Sequence, residues 1–202
     1  MSGVAIYMEG GGDTAETKAA LRQGMGEFLK ELRDQARSKN WRWNLVPCGS
    51  RDEAKKQFMN ARQLRPEMHA FLLVDAEASL SKSALKHVVE RDQWNLNGVV
   101  EGDVHLMVQV METWLVADPE MLAAFYGQHF HEASLPKHQH LESVSKSDVA
   151  AGLQKATKDT KAGPYHKIRH ARHLLERVRS DRVRPRCPNC DRVFTTISPL
   201  IV

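Results

Sequence analysis

Three short acidic stretches in this chain have the residue types and spacing of a divalent-cation site. An apolar run from Val4 to Met8 delivers Glu9 into Gly10-Gly11-Gly12 and then Asp13. Asp75 and Glu77 follow a second run, Phe71-Leu72-Leu73-Val74, and Glu112 lies in Met111-Glu112-Thr113-Trp114-Leu115 after a third. Carboxylates are hard oxygen donors, and Mg2+ takes one or a few of them alongside waters and substrate phosphates. Two residues apart in extended chain, Asp75 and Glu77 point to one side and can hold a cation between them, with Glu9 and Asp13 as the complement from a neighbouring strand. Glycine permits sharp turns and close approach of a ligand, so the triple glycine suits an incoming phosphate. Each stretch alone has a plainer account: a tight strand-to-helix turn, a helix-capping aspartate, a first-turn glutamate favoured by the helix dipole. Their conjunction carries the metal reading.

For these acids to meet, the chain must bring several strand ends to one edge. The pattern predicts a strand over 4–8, one long amphipathic helix over 14–39, a strand over 41–46 and a helix capped by Ser50 that runs to about Leu64. A strand over 69–74, a helix over 81–92 and a strand over 104–110 follow, then helices over 111–117 and, after the cap Asp118 and Pro119, to Tyr126. The β-α-β-α-β order implies an α/β fold with a mostly parallel sheet, helices on its faces and functional loops at the carboxyl ends of the strands. Glu9 and Asp75 both fall at that end.

The 202 residues, with 42% hydrophobic and 27% charged, allow one core of ordinary size. No apolar run approaches the ~18 residues of a membrane span, and no secretory signal is evident, so a cytoplasmic protein without a membrane partner is expected. Three cysteines with one close pair do not describe a secreted disulfide framework. The net charge of +4 is unevenly spread: residues 1–130 hold 15 Lys and Arg against 18 Asp and Glu, and residues 131–202 hold 14 against 7. A basic tail on an acidic body suits an enzyme that acts on nucleic acid, since cations offset the carboxylates and the tail attracts phosphate.

The expected organisation is a metal-binding domain over 1–126, a polar, His-rich linker or mobile loop over 127–146, and a basic helical extension over 147–202. In the extension, helices are expected from Ser147 to about Lys158 and from Pro164 to Arg179. Lys161, Arg169 and Arg172 are candidate nucleic-acid contacts, as are His166 and His170, which share a helix face. The same cations also describe the wet side of an amphipathic helix. Cys187-Pro188-Asn189-Cys190 has the spacing of half a zinc knuckle and lacks an evident second half.

Glu9 with its glycine-rich turn, Asp75-x-Glu77 after the third strand and the β-α-β-α-β order resemble a toprim domain, the metal-binding fold of topoisomerases, primases and overcoming-lysogenization-defect nucleases. The resemblance extends to toprim-like bacterial proteins often encoded beside ATPases in phage-defence loci, through Glu112-Thr113-Trp114-Leu115 and Tyr165-His166-Lys167. It covers residues 3–126 well and the tail more thinly, and it departs where the usual Asp-x-Asp is Asp75-x-Glu77, which lengthens the second arm. The resemblance implies a Mg2+- or Mn2+-dependent nuclease of DNA or RNA in antiviral defence, with an ATPase as partner. The chain has no Gly-x-x-x-x-Gly-Lys-Ser/Thr loop of its own. By this resemblance Glu9, Asp75 and Glu77 are metal ligands, Asp13 and Glu112 further acidic positions that serve catalysis, and Lys167 is the first candidate for a cation at the scissile phosphate. A toprim-like subunit that binds nucleic acid or the ATPase without cleaving is the alternative, and self-association is left open. Exposed apolar residues of the tail and the segment 197–202 are candidate docking surfaces. A phosphatase built on an aspartyl nucleophile fits less well, because its Asp-x-Asp usually follows the first strand.

Overall fold

A computed structural model describes residues 2–202. Its sheet is built from β1 (Gly3–Met8), β2 (Arg42–Pro47), β3 (Met68–Asp75) and β4 (Val104–Met107). All neighbours are parallel and the order is β2-β1-β3-β4, so the two central strands are those that end in Glu9 and Asp75. This is the α/β architecture the alternation of elements implies, and it is consistent with a toprim-like fold.

The period of two along each strand divides the core. Val4, Ile6 and Met8 of β1, with Phe71 and Leu73 of β3, face one apolar layer; Ala5, Tyr7, Ala70, Leu72 and Val74 face the other. The second layer is closed by α3 (Arg51–Leu64) and α4 (Ala84–Asp92). The first is closed by α1 (Ala15–Phe28), α2 (Lys30–Ser38), α5 (Glu112–Val116), α6 (Pro119–Tyr126), α7 (Lys146–Thr157) and α8 (Lys167–Leu175), with α9 (Ser180–Val183) and α10 (Pro188–Ile197). Among the described residues, no helix is long and apolar enough to cross a membrane.

Several expectations are corrected. The helix over 14–39 is two, because the chain leaves helical geometry at Leu29 while burying it completely. The segment 127–146 is no solvated linker: Leu135, Leu141 and Val144 lie in the same core layer as β1 and α8. The basic extension is therefore part of the body's packing. Its long helix shortens to α8, since Pro164, Tyr165 and His166 precede the first helical residue. The unforeseen α10 begins with Pro188, a favoured first helical residue, and buries Cys187 and Cys190 as free thiols among Val193 and Phe194. The end of the chain is partly anchored: Ile197 and Ile201 are buried and Gln35 donates to the carbonyls of Ser198 and Ile201, whereas Leu200 and Val202 are exposed.

The contact between α1 and α8 matters most for the site, because α8 carries Lys167. Gly24 allows it: a Cβ there would lie 2.9 Å from Leu175 Cβ and 3.0 Å from the Arg172 carbonyl oxygen. Gly24→Ala should force α8 outward and destabilise the fold by about 1–3 kcal/mol. Urea denaturation checks this; an unchanged midpoint would mean that the two helices part without cost.

Candidate metal centre

Glu9 leaves β1 where the chain turns through Gly10, Gly11 and Gly12, all at positive φ (106°, 85° and 59°), which non-glycine residues rarely adopt. Gly10 exchanges two backbone hydrogen bonds with Gly49, pinning this turn to the one that follows β2. The turn leads to Thr14, whose hydroxyl accepts from the Thr17 amide and caps α1.

At the end of β3, the Asp75 amide donates to Glu9 Oε2 at 3.1 Å, so the first carboxylate is fixed by the backbone of the second. Asp75 is only 6% exposed, and its Oδ1 accepts from the Met111 amide at 2.9 Å. Glu77 arrives by a route the alternation argument did not foresee. The strand ends at Asp75, and Glu77 has a φ of 65°, with its amide donating to the Gln109 carbonyl. The two side chains are not on one face of an extended chain; the longer glutamate arm reaches the cluster from a turned backbone. One oxygen each of Glu9, Asp75 and Glu77 lie within 4.8 Å of one another. Among the described residues, this is the only such gathering of His, Cys, Asp or Glu, so Cys187 and Cys190 collect no partners of that kind.

Three cations balance these acids. Arg51 reaches Glu9 Oε2 at 3.4 Å and donates to the Asp75 carbonyl at 3.0 Å and to Asp92 at 2.7 Å. Lys146 donates to Glu77 at 2.5 Å. Lys167 Nζ lies 3.8 Å from Asp75 Oδ2 and 3.4 Å from Glu112, whose Oε1 also accepts from Tyr165 Oη at 3.0 Å. Arg51, Lys146 and Lys167 are each the first residue of a helix, α3, α7 and α8 respectively. A cation there opposes the helix dipole at a cost of roughly 0.3–1 kcal/mol, and the carboxylates offset it.

Burial raises the Glu9 carboxyl above its ordinary range, against the pull of Arg51. Burial also raises Glu77, but Lys146 outweighs it and the net shift is downward. For Lys167, burial pushes down while Glu112 and Asp75 push up and prevail, so the ammonium stays charged. Asp75 is pushed up to about 7, by burial first and then by Glu9 and Glu112, with Lys167 opposing.

The remaining candidates divide. Asp13 is exposed beside Gly49, outside the cluster, because the glycine turn carries it past the strand ends. Glu112 is buried, accepts from Tyr165 and Lys167, and lies outside the cluster of Glu9, Asp75 and Glu77. Lys161, His166 and Arg169 are exposed. Arg172 pairs with Glu176 and lines a cleft of about 220 Å³ together with Glu9, the three glycines, Asp75 and Lys167. His170 is no surface contact: it is 8% exposed, and its Nδ1 accepts from the His166 amide and lies 3.0 Å from Tyr126 Oη. Sequence reasoning missed Arg51 and Lys146. The available signal was a basic residue directly after the helix caps Ser50 and Ser145, where acids are favoured.

Fold and site together define a parallel α/β protein with a carboxylate cluster at the ends of its central strands. The chain belongs to the family described as a domain of unknown function, DUF4276, whose profile matches residues 8–198. No curated protein and no solved structure matches it.

The Asp75 shift predicts a pH dependence. The folded carboxyl keeps a proton that the unfolded chain, with an ordinary value of 3.8, releases. A raised folded-state value gives a stabilising contribution that is complete below about 3.8 and is lost as pH rises through about 7. Asp75→Asn mimics the protonated acid, so in EDTA its stability advantage over wild type should grow between pH 5 and pH 8 by on the order of 1–3 kcal/mol. Thermal melts at the two pH values test this, and a pH-independent difference would remove Asp75 as the proton carrier.

Proposed function

We propose that the protein is a divalent-metal-dependent nuclease of the toprim type that hydrolyses phosphodiesters of DNA or RNA. The observation that carries this reading is the convergence of Glu9, Asp75 and Glu77 near the carboxyl ends of the two central strands, with Glu9 and Asp75 lining a cleft that a glycine turn and Lys167 also border. The donor set fits the implied ion: three carboxylates without histidine or thiolate suit Mg2+ or Mn2+ rather than zinc. Glu9, Asp75 and Glu77 would hold it, and when bound it supplies an activated water and charge stabilisation at the phosphate oxygens.

The chain's own residues do the rest. Gly10, Gly11 and Gly12 present backbone without side chains, so a phosphate can approach the carboxylates closely. Lys167 extends its ammonium beside Asp75 and offsets charge that develops on the phosphate in the transition state. Glu112, itself held by the Tyr165 hydroxyl, keeps that lysine at the cleft and, with Asp75, keeps it protonated. The chain carries no phosphate-binding loop for ATP, so coupling to a partner ATPase in antiviral defence remains part of this proposal, supported by sequence resemblance.

One observation favours a second reading, a non-cleaving subunit that binds nucleic acid or the ATPase. Each carboxylate of the cluster already has a protein cation nearby, Arg51, Lys167 or Lys146, so much of its charge is offset without an ion. Incubation with single- and double-stranded DNA and RNA, in Mg2+ or Mn2+, separates the two. The nuclease reading expects cleavage that EDTA abolishes and that falls at least ~100-fold in Glu9→Ala, Asp75→Ala and Lys167→Ala, with folding intact. Cleavage indifferent to Glu9→Ala and Asp75→Ala would sink the site. No cleavage, together with no Mn2+ binding by calorimetry, would overturn the nuclease reading in favour of the non-cleaving subunit.

A further inference from the structure

A second cleft, of about 760 Å³, adjoins the metal centre. Lys167 and Ile168, at the start of α8, line both, so the two form one path that crosses the first turn of that helix. Beyond Lys167 the second cleft runs between α7 and α8. Its walls include the apolar Val110, Ala150 and Ile168, the exposed His166, and Lys146 at the rim. Ile168 is 71% exposed, an unusual position for a large aliphatic side chain on a helix that otherwise buries its apolar residues.

The combination has a chemical meaning. Cations flank the path at two points, Lys167 beside Asp75 and Lys146 beside Glu77, each against an acid of the candidate metal centre. The rest of the lining is mainly aliphatic surface and an imidazole ring, and its one acid, Glu112, is paired with Lys167 and accepts from Tyr165. Alternating charge and apolar or π surface matches a strand whose phosphates and unstacked bases are both accessible. A duplex offers its phosphates but keeps its base faces stacked away. We infer that the cleft between α7 and α8 holds a single-stranded segment of nucleic acid that flanks the scissile phosphate, with phosphates at Lys146 and Lys167 and a base against Ile168 and His166. This rests on the nuclease reading for its orientation, not for the binding itself.

The test is binding without turnover. A fluorescein-labelled ten-nucleotide single strand, DNA or RNA, and the corresponding duplex are titrated in EDTA and followed by anisotropy. The single strand should bind at least ~10-fold more tightly than the duplex, since only unstacked bases can pack against Ile168 and His166. Ala150→Glu adds a carboxylate at an exposed α7 position that borders only the second cleft, and it should weaken single-strand binding ~10-fold or more with an unchanged melting temperature. Lys146→Ala should weaken it and reduce the slope of affinity against salt by about one phosphate contact. Equal affinity for duplex and single strand, or no effect of Ala150→Glu, would overturn the assignment. The two proposals fail separately: strand binding lost in Ala150→Glu, with no cleavage under any condition, keeps the groove and rejects the nuclease. Cleavage lost in Glu9→Ala, with binding untouched by Ala150→Glu, does the reverse.

Discussion

Four carboxylates crowd the ends of β1 and β3 and the start of α5, and the surrounding structure is arranged so that this charge can be tolerated. Isolated buried carboxylates are costly enough that proteins pair them or protonate them. Here both responses occur. Glu9, Glu77 and Glu112 have cations within 3.4 Å, whereas Asp75, the most enclosed acid of the cluster, has only a more distant lysine and is driven toward its protonated form. The cations come from the first residues of three helices that belong to different parts of the chain. The balance at the strand ends therefore depends on the docking of α3, α7 and α8 at once.

This dependence explains why the basic extension cannot be a detachable tail. Lys167 reaches Asp75 only because α8 lies tightly on α1 at Gly24, and Lys146 reaches Glu77 only because the segment before α7 is anchored by Leu135, Leu141 and Val144 in the core. Charge composition alone separates an acidic body from a basic extension. Structurally, the excess positive charge of the second part is partly spent on the excess negative charge of the first, and the remainder, at Lys161, Arg169 and their neighbours, faces solvent.

Much of the fold was legible because strand periodicity and helix caps are local signals. Val4 to Met8, Phe71 to Val74, Ser50 and Asp118 all mark elements that exist with nearly the expected bounds. Glu9 and Asp75 were legible for the same reason, since parallel alternation places the ends of such strands together. Glu77 lies near Glu9 and Asp75 by a geometry other than the one its spacing suggests. Its left-handed backbone depends on the Gln109 carbonyl, a tertiary partner that no local pattern records. Asp13 failed in the opposite sense, near in sequence and carried off by three positive-φ glycines. His170 looked like a surface base because helical spacing places it with His166, yet the packing of Tyr126 makes that face interior.

The pair Asp75-x-Glu77 places the longer acid where the backbone has already left the strand. In an extended strand end, the extra methylene of glutamate would overshoot a cation held by a shorter partner. Here the chain has already turned by Glu77, and the longer arm brings the carboxylate oxygen back within reach of Glu9 and Asp75. Lys146, which lines the second cleft, fixes the end of that arm. Glu77 and the lysine are then parts of one arrangement: the acid that completes the carboxylate cluster also holds the cation that faces the proposed strand path. Shortening Glu77 would disturb both, which couples occupancy of the carboxylate cluster to the charge presented in the groove.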